Sequence, residues 1–330
     1  MRIRLNKMFE NPELGVDLLS HLLTLVRARS ALSGGLVAGG AWAVAFPATP
    51  HVKFWGVRRG TACVDLGTGE PVRLDAGDVV LFHAPGPHVL AGTADAQPVP
   101  LAEIAQGRTG AILRHGDGDA FFMIGGKVDL DEGCAPLLFG GLPPMLRLAA
   151  DAPQARQVHW ILDRLVAERD ADLPGADAVR AQLAQLMLIE ILRAHVTGAD
   201  SLAAGYFRAG VDRRLAPALR LMHADPGRAW RLPELAAACA MSRAAFAVHF
   251  KAAAGASPVH YLTELRMRLA RRRLRDGATV AQLAAESGYG SESAFSHAFK
   301  RVLGHAPRHE RPARPARPYT SRFTNPPRKS

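Results

Sequence analysis

Between residues 16 and 29 (VDLLSHLLTLVRAR) the apolar side chains recur at helical spacing, with Leu18, Leu19, Leu22, Leu23 and Val26 on one face. From about Gly35 to Gly126 the pattern shortens to β-rich runs broken by Gly and Pro: AWAVAF, VKFWGV, TACVDL, PVRLDAGDVVLF, HVLAG and GAILRH. Many short strands without intervening helices predict an antiparallel sandwich or barrel. Helical spacing returns between Gln154 and Val196. Trp160, Leu162, Leu165 and Val166 mark one segment, and Val179, Leu183, Leu186, Met187, Ile189 and Leu192 mark a second. The second is so apolar that it suits either a buried helix or a subunit interface. A further helical stretch runs from Val211 to about Arg308. The closing RHERPARPARPYTSRFTNPPRKS is rich in Pro and Arg, lacks a core pattern and is expected to be disordered.

The helical C-terminal third contains an internal repeat. FAVHFKAAAGASP (Phe246 to Pro258) aligns without a gap on FSHAFKRVLGHAP (Phe295 to Pro307), both reading F-x-x-x-F-K-x-x-x-G-x-x-P at an offset of 49 residues. Upstream stand Leu235-Ala236-Ala237 and Leu283-Ala284-Ala285, the second copy having one extra residue before its phenylalanine. Each copy has the parts of a helix-turn-helix. A short helix (Leu232 to Ala238, Val280 to Glu286) precedes a tight turn, and Ser242 or Ser291 then stands where an N-cap would start a second helix. Phe246 and Phe250, or Phe295 and Phe299, lie four apart and anchor that helix, leaving its opposite face free for a major groove. Gly255 and Gly304 sit at C-terminal glycine positions, with Pro258 and Pro307 just beyond. Between the copies, Ser257, Pro258 and Gly277 delimit one helix of roughly 18 residues, about 27 Å long. That length suits two recognition helices one turn of DNA apart, about 34 Å. An α-hairpin repeat that binds protein is the competing reading; the single pair of copies and the local charge count against it.

Charge sharpens this picture. From Val211 to Ser330 there are 22 Lys/Arg and 8 Asp/Glu, a balance of +14, whereas residues 1–210 balance at −3 and the whole chain at +11. Such asymmetry is expected where one part of a chain meets a polyanion. The arginines of the tail would add nonspecific phosphate attraction. Cys63, Cys134 and Cys239 lie far apart, with no CxxC and no zinc-spaced histidines, which argues against a disulfide framework and fits a reducing cytoplasm. The N-terminal MRIRLNKMFENPELG lacks the apolar core of a signal peptide. Ser30 to Pro50 is uncharged, but its glycines and prolines favour strands over a membrane span.

Residues 211–310, above all GYGSESAFSHAFKRVLGHAP and LMHADPGRAWRLPELA, resemble the AraC/XylS family of transcription activators. More weakly, residues 17–200 resemble the cupin-type sensor of some members, through GEPVRLDAGDVVLFHAPGPHVL, whose Gly77-Asp78 turn and His88 echo the second cupin motif. The resemblance implies an α+β multidomain protein. Residues 1–152 would form a cupin-like antiparallel β-barrel and 153–210 a helical linker with a possible dimerisation segment. Residues 211–310 would form an all-α DNA-binding domain with two helix-turn-helix units, and 311–330 the basic tail.

Two departures from the family bear on function. Ala240 replaces the turn glycine of the first unit, and if that turn needs a positive φ the alanine costs on the order of 1 kcal/mol. The outer face of the first recognition helix offers Ala244, Ala247 and Val248, with Arg243, His249 and Lys251 as its polar complement. The second keeps Gly288 and offers Glu292, Ser293, Ser296 and His297. Base readout is therefore expected to lean on the second unit, while Lys251 and Lys300 suit phosphate.

His88 is the candidate effector contact. His83 lies five residues before it, Trp55 and Arg59 occupy the place of the first cupin histidines, and His51 and His115 are too loosely placed to complete a metal set, so no metal or cofactor is expected. The expected function is a cytoplasmic, non-enzymatic regulator that binds double-stranded promoter DNA and answers a small effector, with RNA polymerase and a second copy as possible partners. The alternatives are a cupin metalloenzyme localised on DNA, a redox sensor using Cys63 or Cys134, and a protein-binding adaptor.

Overall fold

A computed structural model describes residues 18–26, 28–83, 86–106, 112–131, 135–171, 173–197 and 205–310. The elements open with α1 (Leu18–Leu25), β1 (Arg29–Gly39), β2 (Ala43–Phe46), β3 (Val52–Arg59), β4 (Ala62–Asp65) and β5 (Val72–Leu74). There follow β6 (Val79–Phe82), β7 (His88–Ala91), β8 (Val99–Pro100), α2 (Leu101–Ala105), β9 (Ile112–Gly116), β10 (Phe121–Asp129), α3 (Ala135–Phe139) and β11 (Met145–Leu148). The rest is helical: α4 (Ala155–Ala171), α5 (Ala176–Thr197), α6 (Tyr206–Val211), α7 (Ala216–Ala224), α8 (Leu232–Ala238) and α9 (Arg243–Ala254). The chain then forms α10 (Pro258–Arg275), α11 (Val280–Glu286), α12 (Glu292–Leu303) and a final 3-10 turn at Pro307–His309.

Two compact units emerge. One takes the described residues of Arg27–Leu130 and Leu142–Gly198, and the other those of Met1–Val26, Asp131–Gly141 and Ala199–Pro315. The first unit holds a six-stranded sheet in the order β11-β6-β3-β10-β1-β9 and a five-stranded sheet in the order β5-β4-β7-β2-β8. Both sheets have open edges. Pairing is mostly antiparallel, but β1 with β9 and β2 with β8 run parallel. The inner faces of the two sheets share one core, in which Leu36, Trp55, Phe82 and Met123 from one meet Val44, Val64, Leu74 and Leu90 from the other.

The outer face of the six-stranded sheet carries α4 and α5. A Cβ on Gly56 of β3 would stand 2.2 Å from a methyl of Leu162, so only glycine lets α4 approach that closely. The apolar inner side of α5 (Leu183, Ala184, Met187, Leu188, Ile191, Leu192) is buried, which favours the buried-helix expectation for that side. Asp78 secures a corner of the sheet. Only 1% exposed, it accepts from the N–H groups of Ala150 (2.8 Å) and Asp75 (3.0 Å) and pairs with Arg147 Nη2 at 2.7 Å.

The second unit is helical. Leu22 and Val26 of the α1 segment are fully buried, and α1 and α3 both pack against α6. Tyr206 of α6 stacks on Tyr261 of α10 with centroids 4.2 Å apart, and Tyr261 Oη lies 2.8 Å from His223 Nε2. The helix α10 is the spine: Tyr261, Leu262 and Leu265 serve the packing of its first half, and Met267 and Ala270 join the core built on Leu283, Phe295 and Phe299. Residues 311–330, where the basic tail was expected, and Cys134 lie outside the described residues.

Candidate functional site

Each repeat folds as a short helix, a turn and a longer helix, and the local chemistry explains each boundary. Ser242 Oγ accepts from Ala245 N at 3.2 Å to start α9, and Ser291 Oγ accepts from Ala294 N at 3.1 Å to start α12. Both helices end on left-handed glycines, Gly255 (φ 74°) and Gly304 (φ 82°). Phe246, Phe250, Phe295 and Phe299 are all fully buried. With one side of each helix anchored, the other faces solvent.

The turns close identically in spite of their different residues. In the first, the N–H groups of Ala240 and Met241 donate to Ala237 O (3.0 Å) and Ala236 O (2.9 Å). In the second, those of Gly288 and Tyr289 donate to Ala285 O (3.1 Å) and Ala284 O (2.8 Å). This double closure needs a left-handed residue, and φ is 52° at Ala240 and 75° at Gly288. Ala240 is the single non-glycine residue with positive φ among the described residues.

The two units are also pinned to each other. A Cβ on Gly288 would lie 2.3 Å from Gly227 O, and one on Gly227 would lie 2.2 Å from Glu286 O, so the second turn seats directly on the α7–α8 loop. Arg266 of α10 reaches the same loop, its Nη2 donating to Arg228 O at 2.7 Å and its Nε to Pro226 O. In sequence Arg266 reads as one more arginine in a basic run, which hides this role. A hint was available in its register, since it falls between the buried Leu265 and Met267.

The solvent faces of the two long helices differ. On α9, Arg243, Ala244, Val248 and Lys251 are exposed and Ala247 is half-buried, with Val248 at 73%. His249, expected among the polar residues of this face, instead turns inward, its Nε2 2.6 Å from Asp212 Oδ2 though poorly angled for a hydrogen bond. On α12, Glu292, Ser293, His297 and Lys300 are exposed and Ser296 is half-buried.

In the sandwich unit His88 is buried on β7, opposite Phe46 of β2. Burial pushes its imidazole below the ordinary range, partly offset by its bond to Gly86 O. His83 directly follows β6, an inner strand, with its Nε2 2.6 Å from Pro143 O. Trp55 is a core residue, and Arg59 pairs with Asp119 at 2.8 Å. Among the described residues no three His, Cys, Asp or Glu side chains gather as a metal would require. Cys63 is exposed on β4; Cys239 is half-buried at the end of α8, where burial raises its thiol pKa.

Comparisons with known proteins agree with this division. A family model described as Cupin matches residues 17–197, and one described as Helix-turn-helix domain matches residues 235–312. A Streptomyces lividans protein named "Putative AraC-like transcription regulator" is 40% identical over 294 residues, covering 88% of this chain and 97% of that protein. The chain belongs to the AraC family of transcription regulators. Also similar is the HTH-type transcriptional regulator AlkR of Acinetobacter baylyi, 29% identical over 76% of this chain and 85% of its own. A solved AraC-type regulator from Chromobacterium violaceum is 29% identical, covers 31% of this chain and 93% of its own, and has a TM-score of 0.30. This AraC-family chain is therefore a DNA-binding transcription regulator with an N-terminal β-rich cupin domain and a C-terminal helix-turn-helix domain. Among the described residues no helix is long and apolar enough to cross a membrane.

Proposed function

We propose that this regulator reads its promoter chiefly with α12, holds the phosphate backbone with Lys251 and Lys300, and answers a small effector bound at His88. The observation that carries the first part is the contrast between the two solvent faces. Glu292, Ser293, Ser296 and His297 give α12 a set of side chains that can exchange hydrogen bonds with base edges, Glu being an acceptor for cytosine N4. The matching face of α9 presents Ala244, Ala247 and Val248, suited to thymine methyls, with Arg243 at its start. Since His249 is turned to Asp212, that helix has one polar reader fewer than its sequence offers. The 18 residues of α10 set a spacer of about 27 Å between the units, compatible with successive major grooves on one face of the duplex.

The cupin domain is read as the effector unit, its two sheets corresponding to a barrel opened at the edges. A second copy of the chain is the expected partner of the α4–α5 hairpin, where Trp160 (59% exposed), Leu173 (58%), Val179 (38%) and Leu186 (37%) leave apolar surface in solvent. RNA polymerase would be met on the promoter, in the cytoplasm. Residues 211–310 are read as the DNA-binding domain, with α6 completing its core through Tyr206.

Footprinting on promoter DNA tests the reading. Two protected patches one helical turn apart on one face, abolished by removal of Ser291–Gly304, support it. Protection without periodicity, or unchanged by that removal, contradicts it.

A further inference from the structure

Strand ends bring four rings together at one end of the sandwich. Phe46 closes β2, Phe82 closes β6, His88 opens β7, and Trp55 lies within β3. The His88 ring is 5.1 Å from Phe46 with planes 1° apart, 5.4 Å from Phe82 at 17°, and 5.4 Å from Trp55. Only 6% of His88 is exposed. Its Nδ1 lies 2.8 Å from Gly86 O, a carbonyl that can only accept. The proton therefore sits on Nδ1, and Nε2 carries a bare lone pair. That Nε2 is buried and has no hydrogen-bond partner among the described residues. Folded proteins seldom leave a buried acceptor unmatched, so the atom calls for a donor that the described residues do not supply.

We infer that His88 Nε2 is the recognition point for a neutral aromatic ligand carrying one hydrogen-bond donor, such as a phenol; this deepens, and rests on, the reading of the cupin domain as the effector unit. Other ligand classes fit worse. An ionised carboxylate brings no proton to a bare lone pair. A metal ion finds no group of three ligating side chains among the described residues. A cation would enter beside Lys53, which shares the Trp55 face of β3 by strand alternation, and Lys127, its cross-strand partner on β10. An aromatic ring, by contrast, fits walls that are already aromatic. Phe46 is half-buried, whereas Trp55 (5%) and Phe82 (1%) are enclosed. The ligand accordingly enters past Phe46 and meets Nε2 edge-on, its donor in the plane of the His88 ring where the lone pair points and its own ring against the aromatic walls.

The test uses the full chain and two probes of nearly one shape, 4-ethylphenol and its methyl ether, titrated by calorimetry and tryptophan fluorescence. The phenol is expected to bind about tenfold more tightly, the worth of one buried hydrogen bond. His88→Phe, which keeps a stacking ring, should erase that preference, and His88→Gln, which keeps an acceptor, should retain part of it. Equal affinities for the two probes, a preference that survives His88→Phe, or saturation by neither would overturn the inference and leave Nε2 to an internal water. Operator affinity with and without the phenol scores the effector reading separately. Binding that depends on His88 but leaves operator affinity unchanged supports the ligand site and removes its regulatory role.

Discussion

Replacing Ala240 by glycine should make the helical unit more stable, against the usual rule that glycine weakens folded structure. Ala240 adopts φ 52° at the end of α8, where the turn closure from Met241 N to Ala236 O fixes it. Holding an L-residue with a Cβ in the left-handed region costs roughly 1–2 kcal/mol. Glycine there has no such cost, but its freer unfolded chain gives back about 0.4–1 kcal/mol. Ala240 is exposed, so removing its methyl forfeits little packing. The difference leaves a net gain of about 0.5–1 kcal/mol. Gly288 is the matched control. It occupies the same turn position at φ 75°, and an added Cβ would also lie 2.3 Å from Gly227 O. Gly288→Ala therefore carries the left-handed cost together with a forced displacement of the α7–α8 loop, and should destabilise by about 2 kcal/mol or more. Urea unfolding of the full chain, followed by helical circular dichroism, measures both through the midpoint at constant slope. If Ala240→Gly is neutral or destabilising while the slope is unchanged, the strain argument is wrong.

Three further outcomes follow from particular contacts. Burial would raise the Glu310 carboxyl, but hydrogen bonds from Arg271, His305 and Arg275 outweigh it and hold the pKa at about 2, against an ordinary 4.5. Its contribution is thus complete above pH 4.5 and disappears as pH falls toward 2, and Glu310→Gln should cost on the order of 2–3 kcal/mol at neutral pH and flatten that acid limb of the unfolding profile. Gly126→Ala should destabilise the sandwich by roughly 1–3 kcal/mol, because the new Cβ would meet the Phe54 ring at 2.1 Å; a urea midpoint within error of the parent would refute it. Trp160→Asp with Leu186→Arg should shift sedimentation toward a monomer without altering the fold, and an unchanged dimer would place the subunit contact elsewhere.

How far these features were legible in the sequence depended on whether the decisive interaction was local. The limits of α9, α10 and α12 are readable because Ser242, Ser257, Ser291, Gly255 and Gly304 act on their own neighbours. The strands β1 and β10 were not picked out, although they pair along most of their length, from Arg29↔Asp129 to Ala38↔Phe121. Gly34-Gly35 and Gly125-Gly126 look like breakers in sequence. In the fold two of them make room, Gly126 for the Phe54 ring and Gly35 for Met123 O. Likewise the inclusion of α1 and α3 with the DNA-binding helices rests on contacts between segments far apart in the chain. His249 counts in sequence among the polar complement of α9 because Asp212, which it meets, lies 37 positions upstream. His88 was found by motif. Its bare Nε2 became visible only when the surrounding rings were in place.

The division of labour between the two recognition helices is the central claim, and binding of single variants to the operator and to single-base variants of it, at two salt concentrations, tests it most directly. Losing a base contact typically costs ~1–3 kcal/mol and relaxes preference at one base pair, whereas losing a phosphate contact weakens all sequences alike and lowers the salt slope by roughly one. The account predicts that Glu292→Ala and His297→Ala each relax discrimination within one half of the site. Lys251→Ala should instead weaken operator and scrambled DNA together, with a shallower salt dependence. Substitutions at Ala247 or Val248 that change sequence preference more than those at Glu292 and His297 would contradict it and make α9 the principal reader.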